Sequence, residues 1–242
     1  MKIDVLTIFP QIFSGTLSEG PIRIAQEKGL LQISLVNLRD FTSDRHKTTD
    51  DYPYGGGPGM VMKPEPIFLA VRKLKRENLS KVILLTPQGT IYTQEIAKNL
   101  AERKHLILIC GRYKAIDERV KDSLVDEEIS IGDFVLSGGE IPALLIIDSI
   151  ARLLPGVLSD FESAEGDSFH SDLLDAPYYT RPEEFEGMKV PKVLLSGNHE
   201  KIRFWRKKEA LKRTLSKRPD LLEKIELTEE DRRLLNEIET TN

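Results

Sequence analysis

Three short glycine-bearing stretches hold the residue types from which a ligand site can be built: Thr86-Pro87-Gln88-Gly89, Gly111-Arg112-Tyr113, and Glu128 to Glu140, E-I-S-I-G-D-F-V-L-S-G-G-E. The last is an apolar run, a lone glycine, a second apolar run and a glycine pair. Gly132, Gly138 and Gly139 would each cost a helix about 1 kcal/mol relative to alanine. The segment therefore reads as backbone bent closely around something. Two readings are open to it: a cradle for a ligand at a strand-to-helix junction, or a tight turn whose glycines only supply positive φ. None of the three stretches is G-x-G-x-x-G, and Tyr54-Gly55-Gly56-Gly57-Pro58-Gly59 is not followed by G-K-[ST], so an ordinary dinucleotide fingerprint and a P-loop are both absent. The single cysteine, Cys110, excludes an internal disulfide and, ending the run Leu106-Ile107-Leu108-Ile109, reads as a small buried hydrophobe rather than a nucleophile. The histidines show neither H-x-x-x-H nor a cysteine partner, which argues against a protein-held zinc.

The elements that must position these loops alternate along the chain. Residues 2–9 predict a strand closed by Pro10, residues 11–28 a helix interrupted at Gly20-Pro21, and residues 30–38 a second strand. Residues 39–60 form a polar, glycine-dense loop of the kind that is usually functional or disordered inside a compact domain. Thereafter the pattern predicts helix 66–76, strand 81–85, helix 93–103, strand 105–110, helix 116–125, strands within 128–140, and helix 141–154 with Pro142 just inside its start. Such alternation means βαβ units and a largely parallel sheet. Ligands bind such sheets beyond the carboxyl ends of the strands, where all three glycine loops fall.

At 242 residues the chain is long enough for two domains. No run approaches the roughly 18 apolar residues of a membrane span, and the N-terminus enters a strand pattern directly, so a cytoplasmic protein is expected. The net charge of -4 conceals an asymmetry, since residues 201–218 carry nine Lys or Arg against one Glu. That block is a candidate nucleic-acid patch or a solvated helix face. Residues 156–177 read as a linker. Beyond them a helix is expected over 199–216, with Ile202, Trp205 and Leu215 at helical spacings, and a last helix through Ile238 capped by Thr228.

Six motifs stand in order along nearly the full chain: Tyr54 to Met60, Gly111-Arg112-Tyr113, Ile116-Asp117-Glu118-Arg119-Val120, Ser130 to Glu140, Thr180-Arg181-Pro182, and Leu194-Leu195-Ser196-Gly197-Asn198-His199. In these the chain resembles the bacterial tRNA (guanine-N1)-methyltransferase family, TrmD, of the SPOUT superfamily. The resemblance implies an α/β fold whose largely parallel sheet carries a deep trefoil knot, an exception to the rule that chains do not knot, followed by a small all-helical C-terminal domain. It implies a methyltransferase domain over 1–160, a linker over 161–176 and a helical tRNA-binding domain over 177–242. It further implies S-adenosylmethionine bent within the knot's loops, a homodimer with active sites at the subunit interface, and methylation of N1 of the guanosine immediately 3′ of the anticodon in tRNAs with a preceding guanosine. Mg²⁺ is a candidate requirement with no site assigned, and no metal ligands are named.

On that mapping Leu85, Pro87, Gly89, Gly111, Tyr113, Ser130, Ile131, Gly132, Leu136, Gly138 and Gly139 line the cofactor site, and Asp167 and Arg152 are catalytic. Guanine N1 holds a proton that must leave before its lone pair can react. A carboxylate such as Asp167 can take it, and a cation such as Arg152 can stabilise the charge that develops at O6. Each has a structural alternative: Asp167-Ser168 as a linker cap, Arg152 as a complement to a helix C-terminus. The target base must be unstacked to be reached. Trp205 reads either as a stacking platform for RNA or as the core anchor of a small domain. The loop from Asp44 to Met60, with Asp50, is expected to shape the guanosine pocket. One departure stands out: where the family usually reads G-R-Y-E-G, this chain has Gly111-Arg112-Tyr113-Lys114-Ala115, with the charge reversed at Lys114.

Overall fold

The computed structural model describes residues 1–75, 79–158, 168–169 and 173–241. They fall into two compact units, Met1–Ser159 and Asp160–Asn242. The first unit is α/β. Its main sheet is built from β1 (Lys2–Thr7), β2 (Gln32–Asn37), β5 (Ser80–Ile91), β6 (His105–Cys110) and β8 (Glu127–Ser130), in the order β2-β1-β6-β5-β8, with every pairing parallel. A smaller sheet joins β3 (Asp50–Asp51), β4 (Val61–Met62) and β7 (Ala115–Ile116).

The central strand explains the layering. All six residues of β6 are buried, as a parallel strand covered on both faces requires. Because successive side chains point to opposite faces, Leu106, Leu108 and Cys110 pack with Ile3, Val5, Ile83 and Leu85 on one side, and Ile107 and Ile109 with Leu6, Val82 and Leu84 on the other. The first face is covered by α1 (Gly20–Glu27), α3 (Gln94–Ala101) and α5 (Glu140–Leu153), the last through Ala143, Ile146, Ile147 and Ile150. The second is covered by α2 (Pro64–Leu74), through Ile67, Ala70 and Val71, and α4 (Glu118–Leu124), through Val120. At the amino ends of the strands the buried Asp4 is held by Lys2 at 2.7 Å and by His105 Nε2 at 2.9 Å, while His105 Nδ1 meets Ser80 Oγ at 2.7 Å.

Three local expectations change. The helix expected over 11–28 is a pair of 3-10 turns, Pro10–Phe13 and Thr16–Ser18, followed by α1, because Gly15 and Gly20 adopt positive φ and break it. The strand expected to end at Leu85 runs on as β5 to Ile91. It does so through an irregularity between Leu85 and Thr90, across which it keeps its pairing with β8. The second apolar run of the long glycine stretch, Phe134-Val135-Leu136, forms no strand: pairing of β8 with β5 ends at Ser130, Gly132 turns the chain at φ +142°, and Val135 is left 90% exposed.

In the second unit, helix His199–Lys217 starts where the Asn198 side chain accepts from the Lys201 N–H at 3.0 Å, and it packs on helix Glu229–Thr241 through Leu211, Leu234 and Ile238. Thr228 opens the last helix with a reciprocal cap: its Oγ1 accepts from the Asp231 N–H at 3.2 Å and Asp231 Oδ2 accepts from the Thr228 N–H at 2.9 Å. The described residues of this unit are not wholly helical. Glu184–Phe185 and Met188–Lys189 pair as a hairpin whose turn, Glu186-Gly187, has positive φ at both positions.

Two outcomes follow. A Cβ at Gly89 would lie 2.3 Å from the Glu128 carbonyl carbon, inside the β5–β8 pair. Gly89→Ala is therefore expected to cost about 1–3 kcal/mol, read as a lowered urea midpoint; an unchanged midpoint would refute the close approach. Hydrogen bonds from Lys207 and Lys208 hold Glu230 and Glu237 below the usual carboxylate range. Depressed carboxylates stabilise above their unfolded pKa and lose that contribution as pH falls through the folded one. Circular dichroism of the full chain should accordingly show the helical signal becoming less heat-resistant as pH drops below the usual carboxylate range, an effect reduced in Lys207→Ala/Lys208→Ala.

Candidate functional site

At the carboxyl ends of β5, β6 and β8 lies a cavity of about 350 Å³, within the range of small-molecule sites. Its walls are the three glycine loops. One buried carboxylate fastens them. Glu140, the first residue of α5, is 1% exposed; Oε1 accepts from Thr7 Oγ1 at 2.7 Å and Oε2 from Arg112 Nε at 3.0 Å. A carboxylate in the first turn of a helix also faces the positive end of the helix dipole. The Arg112 guanidinium lies 4.6 Å from the centre of the Phe9 ring, a cation–π contact that covers its other side.

This fastening dictates the glycine pair. A Cβ on Gly138 would lie 2.2 Å from Arg112 Nε, and one on Gly139 would lie 2.7 Å from Cys110 Cα. The Gly139 N–H donates to the Gly111 carbonyl at 2.9 Å. So the two loops approach backbone to backbone, and only residues without side chains fit between them. Nearby, Ser130 Oγ exchanges hydrogen bonds with Gly132, at 3.1 Å to its carbonyl and 3.2 Å from its N–H, which fixes the turn below the cavity.

The glycine-dense loop joins the same wall. Strand β4 pairs with β7, the Lys114 N–H donates to the Met60 carbonyl at 3.0 Å, and the Arg112 N–H reaches Met62 Sδ at 3.2 Å. Tyr113, at φ +60°, turns back towards β3; burial and the Asp50 carboxylate raise its phenol, with Arg39 opposing. A non-glycine residue in that region carries strain of the order of 1 kcal/mol or more. Cys110 is fully buried beside this wall, and burial, followed by the Glu140 charge, pushes its thiol well up, so at neutral pH it is no nucleophile.

Of the residues expected at the cofactor, Leu85, Pro87, Gly111, Tyr113, Ser130, Ile131, Gly132, Leu136, Gly138 and Gly139 all line the cavity. Gly89 does not; it serves the β5–β8 packing instead. Arg152 sits in the last turn of α5, exposed and away from the cavity that the first turn of the helix borders. Asp167 lies outside the described residues. Sequence reasoning missed Thr7, Phe9, Arg112 and Glu140 as a unit. The available signal was a carboxylate and an arginine each flanking a glycine that the pattern had already singled out.

The basic helix is divided. Lys207 pairs with Glu230 at 2.7 Å and Asp231 at 2.9 Å, Lys208 with Glu237 at 2.8 Å, and Arg203 with Glu230 at 3.6 Å, all on the last helix. Lys201, Lys212 and Lys217 have no acidic partner among the described residues. Trp205 is half-buried with its ring centroid 6.5 Å from that of the exposed Tyr179, and the Arg206 guanidinium lies 5.7 Å from the Tyr178 ring.

A family model described as tRNA (Guanine-1)-methyltransferase TrmD matches residues 1–224. Similar proteins include the tRNA (guanine-N(1)-)-methyltransferase of Dictyoglomus turgidum, 60% identical over 238 residues that make up 98% of this chain and 96% of that protein. Those of Anoxybacillus flavithermus and Moorella thermoacetica are each 55% identical, covering 98% of this chain and 98% and 96% of their own lengths.

Removing one partner of a buried pair leaves the other charge uncompensated, at about 3–5 kcal/mol. Arg112→Ala, which leaves the buried Glu140 carboxylate with only the Thr7 hydroxyl, should lower the stability of the full chain by roughly that amount, whereas Glu140→Ala, which leaves the less buried Arg112, should cost less. Denaturant titration separates them, and a larger loss for Glu140→Ala would refute the stranded carboxylate as the costlier group.

Proposed function

The chain belongs to the tRNA (guanine-1)-methyltransferase TrmD family, and from that premise we propose the reaction and its parts: transfer of a methyl group from S-adenosylmethionine to N1 of the guanosine immediately 3′ of the anticodon, in tRNAs with a preceding guanosine. The observation that carries this reading is the single cavity in which three sequence-distant glycine loops meet.

The residues present fit the methyl donor. Leu85, Ile129, Ile131 and Pro142 give the cavity an apolar floor suited to a nucleoside, and the backbone at Gly138 and Gly139 has no room for a Cβ. When bound, S-adenosylmethionine supplies an already activated methyl group on a sulfonium. The chain's own task is therefore at the acceptor: Asp167 takes the N1 proton, and Arg152 stabilises the negative charge that develops at O6 as that proton leaves. Arg152 follows the first residue of α5 by twelve positions, about 18 Å of helix at 1.5 Å per residue. That separation supports a site completed by a second copy, with Arg152 acting at a neighbour's cavity. Phe134, Val135, Ile141 and Leu145, apolar and exposed on the loop before α5 and on α5 itself, supply the face for such a homodimer.

The proposal includes the deep trefoil knot among the three loops, a methyltransferase domain over 1–160, a linker over 161–176 and a tRNA-binding domain over 177–242. In the last, Lys201, Lys212 and Lys217 meet the phosphates while base identity is read in the pocket. Asp50 and Tyr113 shape the guanosine side of the pocket. Mg²⁺ is carried as a candidate requirement, with no residues of this chain assigned to it. No described helix is long and apolar enough to cross a membrane, and the cytoplasm, where tRNA is found, is the proposed location.

The test uses labelled S-adenosylmethionine and two tRNA transcripts, with and without guanosine before the target. Label should enter only the first; methylation of both would overturn the site assignment. Asp167→Asn should keep donor affinity within about twofold while lowering turnover about a hundredfold or more, and near-normal turnover would remove Asp167 from the role of base.

A further inference from the structure

Among the charged side chains on the cavity wall, neighbours already hold all but one. Arg112 is paired with Glu140. Lys121 meets Glu118 and Glu128 at 3.3 Å each and donates to Gln88 Oε1 at 3.0 Å. Lys114 lines the same wall, and its ammonium has no ion pair or hydrogen bond among the described residues. Its backbone is fixed nonetheless. The N–H is bonded to Met60, the next two residues form β7 against β4, and Gly59 lies so close that a Cβ there would stand 3.2 Å from Lys114 Cβ. Lys114 is thus an exposed cation on a fixed stem at the cavity wall, solvated in the free protein and open to an anion that enters.

The ligand proposed above has one anionic group, the carboxylate of its amino-acid end, and two cations, the sulfonium and the ammonium beside that carboxylate. An unpaired lysine on the wall repels both cations, and that repulsion is offset only where the carboxylate lies closer to the lysine than they do. The apolar lining at Leu85, Ile129 and Ile131 suits the nucleoside, which leaves the wall that carries Lys114 for the amino-acid end. We propose that Lys114 binds the carboxylate of the methyl donor, a role that rests on the methyl-donor reading. A glutamate at this position, which the resembled family's usual G-R-Y-E-G carries, would present the opposite charge and attract the ammonium of the same zwitterion. The substitution thus inverts which half of the amino acid is gripped.

Calorimetric titration of the full chain with S-adenosylmethionine and with its decarboxylated analogue decides the matter. Lys114→Ala should weaken S-adenosylmethionine about tenfold or more, the scale of a charge-assisted hydrogen bond. The decarboxylated analogue should be bound within about twofold of wild type. Lys114→Glu should lose more affinity for S-adenosylmethionine and none for the analogue. Equal weakening of both ligands by Lys114→Ala would overturn the proposal. So would unchanged donor binding together with weakened tRNA binding, which would assign the lysine to an RNA phosphate. If wild-type protein bound neither ligand, the methyl-donor reading itself would fall, a result distinct from wild type and Lys114→Ala binding the donor equally.

Discussion

The structure around the cavity depends on the buried carboxylate of Glu140. Removing a charge from water is costly, and the cost is offset only when its partners are close and well directed. Here those partners come from two distant segments, Thr7 at the end of β1 and Arg112 just beyond β6, while the carboxylate itself begins α5. Satisfying one group therefore registers two strand ends and a helix against each other. The register is demanding enough that Gly138 and Gly139 have no alternatives: the first lies under the arginine side chain, the second against the backbone of Cys110.

The two ends of the parallel sheet show contrasting uses of polar burial. At the amino ends, Asp4, His105, Ser80 and Lys2 close the sheet with a chain of hydrogen bonds, and no glycine is involved. At the carboxyl ends the polar network is displaced to one side, between β1, β6 and α5, and the irregularity in β5 carries residues 86–89 away from regular pairing. The space left between those features is the cavity. Gly89 is what lets β5 resume its pairing with β8 afterwards, so its contribution is to close the gap behind the cavity rather than to line it.

The layered α/β fold was legible because its determinants are local and repeated. A short apolar run such as Leu106 to Cys110, rich in isoleucine and closed by Gly111, reads as a strand buried on both faces, and the helices between strands carried their own periodicity and caps, down to the Thr228 cap of the last one. The loops were legible as a set because glycine at a strand end has few uses. What escaped was anything decided by tertiary partners. Phe134-Val135-Leu136 has the composition of a strand, yet no edge lies beside it, so propensity was overruled by the absence of a neighbour. Glu140 and Arg112 are ordinary charged residues until the fold brings them together over 28 positions. The charge excess of the basic helix was readable as a total. How much of it was already matched was not, because the matching carboxylates, Glu230, Asp231 and Glu237, belong to a later helix.

That distinction between a residue type and its partnership bears most on the chemistry. Arg112, Lys114 and Lys121 are three cations on one wall, and the sequence ranks them equally. In the structure Arg112 is consumed in holding the loops together and Lys121 in bridging α4 to β8 and the loop of residue 88. Lys114 is left with its charge available. Lys114 is exposed, so water solvates its ammonium in the free protein, and a ligand anion on this wall would meet it without breaking an existing ion pair. The departure from the resembled family at Lys114 thus falls on a wall cation that no neighbour among the described residues already holds. Departures of this kind are informative when the surrounding pairs are satisfied, since an entering anion then meets that one cation without displacing an existing partner.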